Sequence, residues 1–123
     1  MIKILLVDDE IITRKTLSLA LAREGYDVVA AEDGSHAIRL LKKYTPDVVV
    51  TDIIMPERNG IEVILEIKRN YPSIRVIAIS GGGRLNANTH LNIARDLGVA
   101  AIMLKPIKLD ELKIAIENCL LGF

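Results

Sequence analysis

The chain has no tryptophan, and its aromatic residues are three tyrosines and one phenylalanine among 123. So few rings cannot build a base-stacking platform. Charge of one sign is also missing, because 16 basic residues meet 16 acidic ones, so there is no electrostatic footprint for a phosphate backbone. Direct binding to nucleic acid is therefore not expected. The one cysteine, Cys119, cannot close an internal disulfide, which suits a reducing compartment, and it reads as a small apolar residue on the last helix. No long hydrophobic run occurs. The opening MIKILLVDD is too short for a signal core or a membrane span and ends in carboxylates, so a cytoplasmic protein without membrane association is expected. A chain of 123 residues is read as one domain, residues 1–123, able to bury about two-thirds of its unfolded surface without staples.

What is present is a regular alternation of short apolar runs and helical periodicities. ILLV, residues 26–31, DVVVT, VIAI and AIML read as five buried strands. Between them lie helical patterns. The first groups Ile12, Leu17, Ala20 and Leu21, with Asp9 as N-cap and Gly25 just past its end; the second starts at Asp33-Gly34 and groups Ala37, Ile38, Leu41 and Tyr44. The third places Ile61, Ile64, Leu65 and Lys68 in register, a weaker one runs from Asn88 to Leu97, and the last carries Leu109, Leu112, Ile116 and Leu120. Strands separated by helices pair in parallel, which predicts a doubly wound α/β sheet of five strands with five helices. An order of 2-1-3-4-5 leaves a crevice between the first and third strands, where such sheets bind ligands.

Four polar positions follow the strands and converge at that end: Asp8-Asp9, Asp52, Ser80 and Lys105. Each has a plainer reading. Asp8-Asp9 suits a helix start, Asp52 a turn, and Lys105-Pro106 a strand end with a turn-directing proline, whose peptide bond composition leaves open as cis or trans. Taken together they say more. Three carboxylates packed at one edge repel unless a cation resolves them, and a hydroxyl and an ammonium beside them suit phosphate oxygens. Magnesium is the natural cation, and Asp52 becomes a nucleophile that can accept a phosphoryl group. Ser80-Gly81-Gly82-Gly83 lacks the spacing of a nucleotide-binding loop and reads as a soft loop with one hydroxyl at its root. His36 and His90 have no metal-ligand spacing and read as surface residues.

The residue pattern resembles the receiver domains of two-component response regulators, stand-alone chemotaxis regulators included. ILLVDDE with Arg14, DVVVTDIIMPERNG, VIAISG and LGVAAIMLKP occur in order along essentially the whole chain. The resemblance implies a flavodoxin-like fold with Asp52 as phosphoacceptor. It implies that Asp9, Asp52 and the backbone carbonyl of Ile54 bind Mg²⁺, with Asp8 acting through water. Ser80 would be the switch hydroxyl and Lys105 the phosphate-binding cation. Three positions depart from the pattern. Ile102 stands where an aromatic is usual, Ala100 and Ala101 where acids are common, and Lys108 where a Ser or Asp would cap the last helix.

The implied function is a signalling switch that takes a phosphoryl group from a histidine kinase or histidine phosphotransfer protein. It would then present an altered face, formed by the fourth helix, fifth strand and fifth helix, to a downstream protein. It would catalyse its own modification without being a turnover enzyme, as a monomer or a weak dimer linked to phosphorylation. No effector segment is seen, so a stand-alone regulator and a receiver cut from a longer protein both remain open, as does a receiver-like module that binds partners without phosphorylation. A haloacid-dehalogenase-like phosphatase is disfavoured, because Ile54 stands where that class needs a second aspartate.

Overall fold

The computed structural model describes residues 1–53, 60–81, 92 and 95–122. Five strands, β1 (Lys3–Val7), β2 (Asp27–Ala31), β3 (Val48–Asp52), β4 (Arg75–Ser80) and β5 (Ala101–Leu104), form one parallel sheet in the order 2-1-3-4-5. The expected sheet order is the observed one. Four helices lie among the described residues: α1 (Ile11–Arg23), α2 (Gly34–Leu41), α3 (Gly60–Asn70) and α4 (Leu109–Leu121). The helix expected over Asn88 to Leu97 lies mostly outside the described residues, with Asn92, Arg95 and Asp96 helical. No described helix is long and apolar enough to cross a membrane.

Alternation along the central strands splits the core in two. Leu5, Val7, Val49, Val76 and Ala78 face α2 and α3, where Ala37, Leu41, Val63, Ile64 and Ile67 close one layer. Ile4, Leu6, Val50, Ile77 and Ile79 face the other way, onto Leu17 and Leu21 of α1 and Leu112, Ile116 and Cys119 of α4. Strands covered on both faces read as unbroken apolar runs, which is why they were legible in the sequence. At about 1.5–3 kcal/mol for each large side chain fully buried, these two layers dominate the stabilisation. Cys119 is the small core residue it was expected to be.

Several local expectations need correction. Asp9 does not cap α1: the helix opens on Glu10, which makes no side-chain cap bond, while Asp8 Oδ1 accepts the Glu10 N–H at 2.9 Å. Asp9 is turned instead toward the other acids. Ile12 is 77% exposed, because the stripe of α1 that reaches the core is Leu17 and Leu21. In α3 the buried stripe is Val63, Ile64 and Ile67, leaving Leu65 exposed. Asp33 does cap α2, accepting the His36 N–H at 2.8 Å, and Lys108 leaves α4 without a side-chain cap.

Candidate functional site

The carboxyl ends of β1, β3, β4 and β5 deliver Asp8, Asp52, Ser80 and Lys105 to one edge of the sheet. The order 2-1-3 sends the chain to opposite sides of the sheet after β1 and after β3, which opens the crevice there. Oxygens of Asp8, Asp9 and Asp52 lie within 4.8 Å of one another, with Asp8 and Asp52 buried and Asp9 exposed. Such a set of oxygen donors, closed on the protein side and open through Asp9, fits a hard divalent cation that keeps part of its water. Ile54 lies outside the described residues.

Lys105 reaches over these acids. Its Nζ donates to Asp52 Oδ2 at 2.9 Å and Glu10 Oε1 at 2.5 Å, and lies 3.0 Å from Asp8 Oδ2. Burial works against the ammonium, but the hydrogen bonds to Glu10, Asp52 and Asp8 outweigh it and hold the group above its ordinary range. The Lys105 contact in turn draws the Glu10 carboxyl below its usual value. The Lys105-Pro106 bond is cis, the alternative that composition had left open.

Two backbone details hold the acids still. Arg14 Nη1 donates to the Asp8 carbonyl at 2.8 Å, and the Thr51 hydroxyl donates to the Asp52 carbonyl at 3.0 Å. Gly60 presses on that same carbonyl: a Cβ there would lie 2.1 Å from the Asp52 oxygen and 2.7 Å from Ile53 Cα, so only glycine lets α3 start this close to β3. Ser80 Oγ is fully buried and has no hydrogen-bond partner among the described residues. A buried hydroxyl at such an edge can donate to a ligand oxygen.

All four strand-end positions expected from the sequence are therefore brought together, along with Asp9. Glu10 and its reach to Lys105 were not anticipated. Its only signal was an acid directly following the aspartate pair, and the partner lies 95 residues away. Ile102 is half-buried against the α2/α3 layer, and Ala100 is exposed. Beside Lys105, a groove lined by Ile12, Thr13, Thr16, Pro106 and Ile107 runs along α1.

Fold and site together define a doubly wound α/β domain with an acid-and-lysine pocket at its topological switch point. The family model described as "Response regulator receiver domain" matches residues 4–117. The chain belongs to that family, whose members are signalling domains. It is 34% identical over 119 residues to the chemotaxis protein CheY of Bacillus subtilis, covering 96% of this chain and 97% of that protein. Against the transcriptional regulatory protein GlrR of Escherichia coli it is 35% identical over 117 residues, covering 95% of this chain but only 26% of that protein. The chain thus spans about a quarter of that regulator's length. The response regulator TrrA of Thermotoga maritima, whose crystal structure is of a complex with Mg²⁺-BeF, superimposes with a TM-score of 0.83 at 29% identity, over 96% of this chain and 98% of that one.

Proposed function

We propose that the chain is a phosphorylation-dependent signalling switch with Asp52 as the phosphoacceptor. The observation that carries this reading is the Lys105 ammonium held 2.9 Å from Asp52, at the sheet edge where the buried Ser80 hydroxyl has no partner among the described residues. An oxygen of Asp52 attacks the phosphorus of the donor. The bond from phosphorus to the donor breaks, and the leaving group, an imidazole nitrogen of a phosphohistidine or the acetate of acetyl phosphate, departs with the electron pair. Lys105 donates to an oxygen of the transferred group, and Ser80 donates to another. Positioning and charge compensation account for most of the rate in such loose transition states. Asp8, Asp9 and Asp52 would hold Mg²⁺, which when bound offsets the charge of phosphate against carboxylate; the TrrA complex supports that choice of cation.

The phosphodonor is a histidine kinase or phosphotransfer protein, which would seat beside Lys105, where exposed Ile12 lines the groove and its neighbour Ile11 is also exposed. Output passes to a downstream protein through the face that carries β5 and α4. With Ile102 in the aromatic position, β-branched and stiff, a swinging ring is not the signal. The test is intact-mass spectrometry after incubation with Mg²⁺ and acetyl phosphate. One base-labile phosphoryl adduct is expected in the wild type and none in Asp52→Asn; equal adduct in both rejects Asp52.

A further inference from the structure

An ammonium has three N–H donors, and in this protein Lys105 donates to the carboxylates of Asp52 and Glu10 and stands 3.0 Å from that of Asp8. An incoming phosphoryl oxygen must therefore compete with three carboxylates for the ammonium, and gains it most fully when one of them lets go. The three partners differ in what release would cost them. The side chains of Asp8 and Asp52 are 1% and 5% exposed, so water cannot readily take the place of the ammonium at either. Glu10 is 60% exposed, and water can rehydrate its carboxylate as soon as it swings away. Glu10 also carries a negative charge at the point where a negatively charged phosphoryl group must arrive.

We propose that Glu10 is a positioning residue that occupies Lys105 in the unphosphorylated protein and surrenders it to the phosphoryl group during transfer. This rests on the reading of Asp52 as phosphoacceptor. Before transfer, the Glu10 contact keeps the lysine arm extended over Asp52 and occupies one of its donors. On transfer, a phosphoryl oxygen takes the place of Glu10 Oε1 and the glutamate turns to solvent. The contact thus slows entry of the anion while keeping the lysine aimed. Glu10 stands directly before the first turn of α1, where Ile11 and Ile12 are exposed, so its release also changes the charge at the edge of the groove.

The experiment compares wild type, Glu10→Gln and Glu10→Asp in two measurements. The first is the rate of Asp52 phosphorylation by acetyl phosphate with saturating Mg²⁺, followed by intact mass across donor concentrations. Glu10→Gln should raise the second-order rate constant about two- to fivefold, the scale of a lost exposed ion pair. Mg²⁺ affinity should change by no more than about twofold, since Glu10 is outside the acid cluster. Glu10→Asp keeps the charge but shortens the arm, and should speed the reaction as Glu10→Gln does. A slow Glu10→Asp with a fast Glu10→Gln would show general repulsion at the mouth and overturn the positioning role.

The second measurement needs neither metal nor phosphate. NMR of the lysine ammonium groups should show one slowly exchanging signal from Lys105 in the wild type, shifted and faster exchanging in both variants. Unchanged rates and an unchanged Lys105 signal would overturn the inference while leaving Asp52 as acceptor. If the wild type forms no adduct at all, the acceptor reading fails, and the inference fails with it.

Discussion

The backbone N–H of Lys105 donates to the carbonyl of Ser80 at 2.8 Å, extending the β4–β5 ladder one residue beyond the Ser80–Leu104 pair. The hydroxyl and the ammonium assigned to the phosphoryl group are thus fixed to each other through the main chain. Neither side chain is aimed by a loop of its own.

Metal and phosphate handling should separate by mutation. Asp9→Ala should weaken Mg²⁺ binding by more than about tenfold, because a site held by so few carboxylates loses much of its charge with one. Lys105→Ala removes a positive charge from the acid cluster, so Mg²⁺ should bind as well or better while phosphorylation slows. Calorimetric titration of both variants decides it, and loss of the metal in Lys105→Ala would contradict this division.

Gly60→Ala places a methyl group 2.1 Å from the Asp52 carbonyl oxygen, so α3 must shift or the end of β3 must bend. Overpacking against backbone should cost about 1–3 kcal/mol. Thermal unfolding should show the loss, and Asp52 phosphorylation should fall in the folded fraction. A variant as stable and as reactive as the wild type would show that the contact does not constrain the acceptor.

Ser80→Ala should leave the metal-free, unphosphorylated protein equally stable or up to about 1 kcal/mol more stable, since it deletes a buried hydroxyl with no partner among the described residues. Urea unfolding measures this. With Mg²⁺ and beryllofluoride, wild type should gain hydrogen-exchange protection over residues 80–91 and Ser80→Ala should lose most of it, while still accepting phosphate on Asp52. Equal protection in both proteins would remove Ser80 from the output route.

Lys108→Ser should stabilise the fold by about 0.5–1 kcal/mol, because α4 begins on a lysine that makes no side-chain cap bond and a serine there can accept an orphan N–H. The midpoint of thermal unfolding should rise, with the phosphorylation rate unchanged. No rise would mean that water already satisfies that helix start as well as a hydroxyl would.

How far the sequence could be read follows from what each signal depends on. Strands β1, β3 and β4 are buried on both faces, so Ile4–Val7, Val48–Val50 and Val76–Ile79 announce themselves as apolar runs, and the polar residues at their ends fall into place once the sheet is parallel. Helix faces were less legible. Ile12 has the spacing of a core residue, but the twist of α1 over the sheet brings only Leu17 and Leu21 inward, and in α3 Val63 and Ile67 bury where Leu65 had been placed. The Asp9 cap failed because two adjacent acids can exchange roles, and Asp8 took the backbone N–H. Contacts such as Glu10 with Lys105, and the close approach of Gly60 to Asp52, join residues from distant elements and leave no mark on local periodicity.

The joining of Lys105 to Asp8 and Asp52 also sets the order in which the pocket can be assembled. All three clustered acids lie within the first 52 residues, whereas their ammonium partner comes 53 residues after Asp52 on the half-buried edge strand β5. As the chain emerges during synthesis, β1 and β3 can pair before Lys105 exists to offset their carboxylates. Docking of β5 therefore removes electrostatic repulsion as well as burying apolar surface, and the strand that completes the sheet is also the one that completes the charge balance of the pocket.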